Sequence, residues 1–342
     1  MKVIAFGQGG FDPAGRETDM PHAAGTPPVY DSLLVSDPLK GTITFRWAVG
    51  GTPANTACGL AKLGVKVMFV GKMADDIFGH FFADTLRTQG VDVSELRFDQ
   101  TKKTEVGFDS SDLEKKGTLF SRPPAAYHLI TKEEISAHYF QKKSIFLFGA
   151  VTLSRNPARE ATLFAAEIAR KRDLTIAFDP NLRLGMWSDV EEAKELLKIS
   201  LGKADIVKLS LNEFKIVSDS KDIKEANQLR VEYGIKFLVV TLGAKGAYFC
   251  NECNQGFVEG YQVEVLDTTG AGDGFFAGLL YKIIQLKAVD PDSLSSLSRE
   301  QLVEITEFAN AAGALTTGKL GVAPALPTAE EIGALQKKEN FG

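Results

Sequence analysis

The run Asp267-Thr268-Thr269-Gly270-Ala271-Gly272-Asp273-Gly274-Phe275-Phe276-Ala277-Gly278 has the residue types and spacing to handle a transferring anion. Val263 to Leu266 before it alternates and reads as the end of a strand. Phe275 to Ile284 after it is apolar at helical spacing. Gly270-Ala271-Gly272 is then a tight turn opening a helix. Small residues let the backbone approach a ligand, and the first N–H groups of a helix have no partner inside it. Those groups and the helix dipole favour an anion. Asp273, in the first turn, stands beside that anion and can take a proton from a hydroxyl. A base next to an anion hole is what phosphoryl transfer requires. The same residues also suit an ordinary glycine turn in which Asp273 only complements the dipole.

Such a turn needs a scaffold. Lys2 to Phe6, Lys66 to Val70, Ser144 to Phe148, Thr175 to Phe178, Ala204 to Leu209 and Phe237 to Thr241 are short apolar runs that read as strands. Gly50-Gly51-Thr52-Pro53-Ala54-Asn55-Thr56-Ala57 opens a helix to Leu63, with Pro53 near its first position and Gly64 ending it. Asp75 and Asp76 read as caps of a helix reaching Gln89. A last long helix is predicted from Arg299 to about Thr316, after a polar linker from Asp290 to Ser298. Asp179-Pro180-Asn181-Leu182-Arg183 follows a predicted strand, and polar residues past the carboxyl end of a parallel strand lie where open α/β sheets bind ligands. Val29 to Val35 and Thr42 to Trp47 suit a small side sheet. Thr104 to Phe108 and Gly117 to Arg122 read as a hairpin.

Three look-alike motifs fail on context. Gly7-Gln8-Gly9-Gly10-Phe11-Asp12 nearly spells a dinucleotide fingerprint, but Asp12 takes the last glycine position and no amphipathic helix follows. Gly313 to Leu320 has Walker A spacing but ends a helix and lacks the final Ser or Thr. Cys250-Asn251-Glu252-Cys253 has no second ligand pair for zinc and reads as a hairpin tip.

Taken together, Asp-Thr-Thr-Gly-Ala-Gly-Asp and Gly-Gly-x-x-x-Asn-x-Ala resemble the two signatures of the ribokinase-like (PfkB) carbohydrate kinases. The resemblance covers essentially the whole chain. It implies a doubly wound, mostly parallel α/β sheet with helices on both faces, with a small β lid drawn from about 12–48 and 100–127. It gives Asp273 the role of catalytic base, and Gly270, Ala271 and Gly272 that of stabilising the transferring group. Asp12, Gly50, Gly51 and Asn55 would hold the sugar. Phe148-Gly149-Ala150 and Arg183 through Trp187 are most similar to fructokinases, and Phe120 to Ala126 resembles both fructokinases and 2-keto-3-deoxygluconate kinases, which adds Arg122 and Arg183 to the substrate side. Asn212, Thr241, Gly243 and Gly246 would serve the nucleotide, with Asn310 and Gly313 near adenine.

The cofactors implied are ATP, Mg²⁺ and a monovalent cation, K⁺, near Asp267 and Thr269. The family's Asn-x-x-Glu pattern, which orients waters on Mg²⁺, is met at Asn212, but Lys215 stands at the Glu position, so either Glu213 substitutes or Mg²⁺ is held mainly by nucleotide and water. The resemblance also admits a homodimer through the lid. A kinase of another sugar, such as 2-keto-3-deoxygluconate, or of a nucleoside stays open, as does a non-catalytic sugar-binding relative.

Bulk properties agree with an enzyme of small molecules. The chain has 342 residues, 44% hydrophobic and 24% charged, ample for a sizeable core. A net charge of −5 argues against partners that are nucleic acids or anionic membranes. Three cysteines imply no disulfide framework and a reducing cytoplasm.

Overall fold

The computed structural model describes residues 2–13, 35–37, 42–44, 47–104, 125–218, 220 and 222–339. The expected hairpin up to Arg122 and most of the 12–48 lid lie outside the described residues. Chain order runs β1 (Val3–Phe6), β2 (Gly10–Pro13), β3 (Val35–Asp37), β4 (Thr42–Thr44), β5 (Trp47–Gly50), α1 (Thr52–Lys62), β6 (Val67–Ala74), α2 (Ile77–Thr88), β7 (Asp92–Asp99), β8 (Ile145–Phe148), α3 (Ala158–Lys171) and β9 (Thr175–Phe178). It continues through α4 (Val190–Leu201), β10 (Ile206–Ser210), α5 (Leu211–Ser218), α6 (Ala226–Tyr233), β11 (Phe237–Thr241), β12 (Gly246–Cys250), β13 (Gln255–Glu259), α7 (Ala271–Gln285), α8 (Pro291–Ser295), α9 (Arg299–Thr316), α10 (Val322–Ala325) and α11 (Ala329–Glu339).

Among the described residues, nine strands form one sheet in the order β13-β12-β11-β10-β9-β8-β1-β6-β7. Strands β7 to β11 in that spatial row are parallel; β12 and β13 are antiparallel. From β1 the chain steps to β6 and β7 on one side, then returns to β8 and proceeds the other way. The order therefore reverses beside β1, and a crevice opens there at the carboxyl ends of the strands. Two antiparallel pairs, β2 with β5 and β3 with β4, stand apart from the sheet.

Alternation along β1 builds both layers of core. Val3 and Ala5 face α1, α2, α7 and α9, while Ile4 and Phe6 face α3 to α6. Aromatic rings cross the second layer, Phe148 stacking on Phe178 at 4.6 Å between centroids and on Phe146 at 5.7 Å. Each buried Phe stabilises the layer by about 1.5–3 kcal/mol.

Three expectations change. Val263 to Leu266 is not a strand but an irregular, mostly exposed segment, because β13 already ends its side of the sheet. The segment is tied down where the Leu266 and Asp267 N–H groups donate to the Thr317 carbonyl. The polar linker at 290–298 contains α8, capped by Asp290. Strand β7 was missed because its charged, half-exposed sequence is that of an edge strand.

Candidate active site

Helix α7 opens at Gly270, whose φ of +79° favours glycine, and no side chain caps it. A Cβ there would stand 2.4 Å from Val322 Cγ1, so α10 closes over the turn. The Ala271 N–H is spent on the Thr268 carbonyl at 3.3 Å, and the Thr269 N–H on Asp267 Oδ1 at 2.8 Å. That takes Ala271 out of the expected Gly270-Ala271-Gly272 anion hole and leaves it to the remaining first-turn N–H groups. Gly274 and Gly278 serve packing: a Cβ on either would come within 2.2 Å of Thr316 Oγ1 or 2.9 Å of Ala312 Cβ. Helix α9 thus lies unusually close along α7 and holds the turn still.

Helix α1 opens in the same manner at Gly51, with φ +109° and no side-chain cap. A Cβ on Gly51 would meet the Gln8 carbonyl at 2.5 Å, and one on Gly7 would meet Pro53 Cγ at 2.4 Å. The start of α1 is therefore seated in the crevice beside β1. Asn55, one turn in and buried, donates from Nδ2 to Asp273 Oδ2 at 2.7 Å. The two signature stretches, 218 residues apart, meet at this bond. Gly50 lies opposite Gly10 in the β2–β5 pair, and Asp12 opposite Ala48, so the backbone of Asp12 runs beside the strand leading into α1. Asn181 donates to Thr52 Oγ1 and links the Asp179-Pro180-Asn181 loop to the same helix start.

Past β9 and β10 lies a charged cluster. Lys208 Nζ donates to both Asp179 oxygens at 3.1 Å, with both residues buried. Burial pushes Asp179 up to about 7, against the pull of Lys208 and with Glu213 and Asp273 adding to the rise. Glu213 Oε1 accepts from the Leu182 N–H and Oε2 from the Ser210 N–H, each at 2.7 Å, while its own N–H donates to Ser210 Oγ at 3.2 Å. Asn212 and Lys215 stand apart from this cluster. The phase of α5 turns Glu213, Phe214 and Val217 inward and leaves Asn212 and Lys215 exposed. The polar pair at i,i+3 spacing that faces the cluster is Ser210–Glu213. Lys208 was missed outright; a lysine inside the apolar run Ile206-Val207-Lys208-Leu209 was the available signal.

The remaining candidates are spread out. Thr241 ends β11, level with Ser210 on β10, and Gly243 and Gly246 follow with φ of +62° and +113°. Asn310 is buried, and its Nδ2 donates to the Val258 and Glu259 carbonyls at 3.2 and 2.9 Å, which ties α9 to β13. Gly313 packs against the start of α7; a Cβ there would stand 3.0 Å from the Ala271 carbonyl. Asn310 and Gly313 are thus already committed to holding α9 in place. Arg183 is exposed in the loop after β9, and Arg122 lies outside the described residues. Asp76 caps α2 as expected, accepting from the Gly79 N–H at 2.9 Å, and also binds Thr104. The Cys250–Cys253 segment is the expected hairpin tip between β12 and β13. No group of three or more His, Cys, Asp or Glu converges on a metal site among the described residues. With both oxygens taken by backbone N–H groups, Glu213 suits holding a metal-bound water better than direct ligation.

A carboxylate at the uncapped head of a helix, at the reversal point of a doubly wound sheet, is a place where an open α/β enzyme binds a small-molecule ligand. The model of the pfkB family of carbohydrate kinases matches residues 29–329, and the chain belongs to that family. It is 37% identical over 296 residues to fructokinase-2 of Solanum lycopersicum, covering 86% of this chain and 88% of the relative. Among solved structures it resembles the fructokinase of Xylella fastidiosa with bound ATP, with a TM-score of 0.85, 28% identity and 99% of each chain covered. It also resembles a double mutant of the Vibrio cholerae O395 fructokinase bound to fructose, ADP and potassium ion, with a TM-score of 0.79, 28% identity, and 98% of this chain and 97% of the other covered. No helix among the described residues is long and apolar enough to cross a membrane.

Proposed function

We propose that this chain transfers the γ-phosphoryl group of ATP to fructose, forming fructose 6-phosphate and ADP. The observation that carries the reading is the 2.7 Å bond from Asn55 to Asp273 at the head of α7. It fixes a buried carboxylate beside helix N–H groups that face the crevice. The relatives named for fructose, and the neighbours that hold ATP or fructose with ADP, support the choice of substrates.

In this reading the sugar hydroxyl gives its proton to Asp273, and its oxygen bonds to the γ-phosphorus. The bond from that phosphorus to the bridging oxygen breaks, and ADP leaves with the electron pair. Charge growing on the γ-oxygens meets the first-turn N–H groups of α7 and its dipole. Asp12, Gly50, Gly51, Arg122 and Arg183 are assigned to the sugar, with Asn55 orienting the base. Asn212, Thr241, Gly243 and Gly246 are assigned to the nucleotide side, and Asn310 and Gly313 to shaping its far wall. Mg²⁺, when bound, neutralises phosphate charge; Glu213 would hold one of its waters. Asp267 and Thr269 are placed at a K⁺ site on the approach to the turn. The β2–β5 and β3–β4 pairs belong in this reading to a water-excluding lid, through which two copies join. A monomer in sedimentation at working concentration would remove that last element.

The test is an ADP-release assay over a panel of sugars, with fructose expected to give the highest kcat/KM. A clear preference for 2-keto-3-deoxygluconate or a nucleoside would keep the kinase and overturn the substrate. No turnover with any member, while sugars still bind, would favour a binding protein.

A further inference from the structure

We propose that Lys208 is a positioning residue for the transfer, its ammonium clamped by Asp179 against Gly272 so that fixed positive charge backs the turn where phosphoryl charge grows. The inference rests on the kinase reading of the same site. Strand β10 is central and apolar, yet Lys208 within it is only 5% exposed. A buried ammonium is costly unless it is paired and hydrogen-bonded. Asp179 supplies both, through two oxygens at 3.1 Å from Nζ. That two-point clamp also fixes where the charge stands. A Cβ on Gly272 would lie 2.9 Å from Nζ, so the ammonium occupies the space a side chain would need in the first turn of α7. The glycine there admits the lysine as much as the substrate.

The groups that act on Lys208 come from three elements: Asp179 past β9, Glu213 on α5 and Asp273 on α7. Burial works to discharge the lysine, but these three carboxylates outweigh it and hold it protonated. Behind the turn, the same charge reinforces the α7 dipole in a region of low dielectric, where fixed charges act most strongly on a developing anion. A pair that merely braced β9 to β10 would have no reason to rest against the catalytic turn.

The experiment compares the wild type with Lys208→Met, with the double variant Asp179→Asn plus Lys208→Met, and with Asp273→Asn as control. Each is assayed for kcat and for KM with ATP and with fructose. The double variant leaves neither member of the Asp179–Lys208 pair as a lone buried charge and keeps the test usable if the single variant does not fold. The expected result, in the folded double variant, is a kcat lowered by about tenfold or more, less than the loss of a direct oxyanion donor. KM for both substrates should change little. Wild-type kcat in that variant, or a loss of kcat/KM carried by a raised KM, would overturn the proposal and leave the pair as a brace. Loss of turnover in Asp273→Asn alongside an unaffected double variant sinks this inference only. Wild-type turnover in Asp273→Asn sinks the kinase reading beneath it.

Discussion

Helices α1 and α7 begin differently from α2 and α9. The latter pair are capped by Asp76 and Ser298, whose side chains accept from backbone N–H groups three residues on. Helices α1 and α7 instead start at glycines with positive φ and no side-chain cap. Capped ends are closed and stable; glycine ends leave N–H groups turned outward and let other backbone come close. Both glycine ends meet in one place, joined by Asn55 and Asp273. Stability was given up at the two helix starts where a ligand is to supply the missing partner.

The sharpest way to break the contrast is Asp273→Asn, which keeps shape but cannot accept a proton. Turnover should fall by about 10²–10⁴-fold with sugar binding intact; steady-state kinetics and a sugar-binding isotherm check both halves. Gly270→Ala comes next. It forces an ordinary residue to φ +79° and drives a methyl into Val322. The cost of about 1–3 kcal/mol should appear as a lower Tm, together with a reduced kcat because the turn must move. Asn55→Ala removes a hydrogen bond to a charged group, worth about 1.5–3 kcal/mol. It should lower kcat by roughly ten- to a hundredfold and lower Tm as well, since the buried Asp273 carboxylate loses a partner. Asp76→Ala is the opposite case. Losing a true cap should cost about 0.5–2 kcal/mol in stability and leave kcat alone; a drop in kcat would erase the distinction between the two kinds of helix start.

Much of this was legible in the residues. Short apolar runs marked β1, β8, β9 and β11 to within a residue, because a strand buried on both faces has little freedom of composition. The start of α7 at Gly270 was legible because a glycine turn followed by apolar residues at helical spacing marks a helix opening. The misreadings share a cause, in that local pattern does not report its neighbours. Val263 to Leu266 alternates as a strand does, but no strand is there to pair with it. The Asn212–Lys215 spacing does not report which face of α5 turns inward; the helix start at Leu211 buries Glu213. Lys208 was overlooked because its meaning depends on Asp179, 29 residues earlier, and Gly272, far later in the chain. Gly274 and Gly278 looked like part of a chemical signature and are in fact where α9 needs room.

The central claim is that the open head of α7 receives the transferring phosphoryl group while Asp273 holds the sugar hydroxyl. A crystal structure of this protein with fructose, ADP, Mg²⁺ and a planar aluminium fluoride mimic of that group tests it most directly. The account predicts the fluorides within hydrogen-bond distance of first-turn N–H groups of α7, including that of Gly272, and a fructose hydroxyl about 2.6–3.2 Å from the Asp273 carboxylate. A mimic bound away from this turn, or a sugar whose hydroxyl faces a different carboxylate, would contradict it.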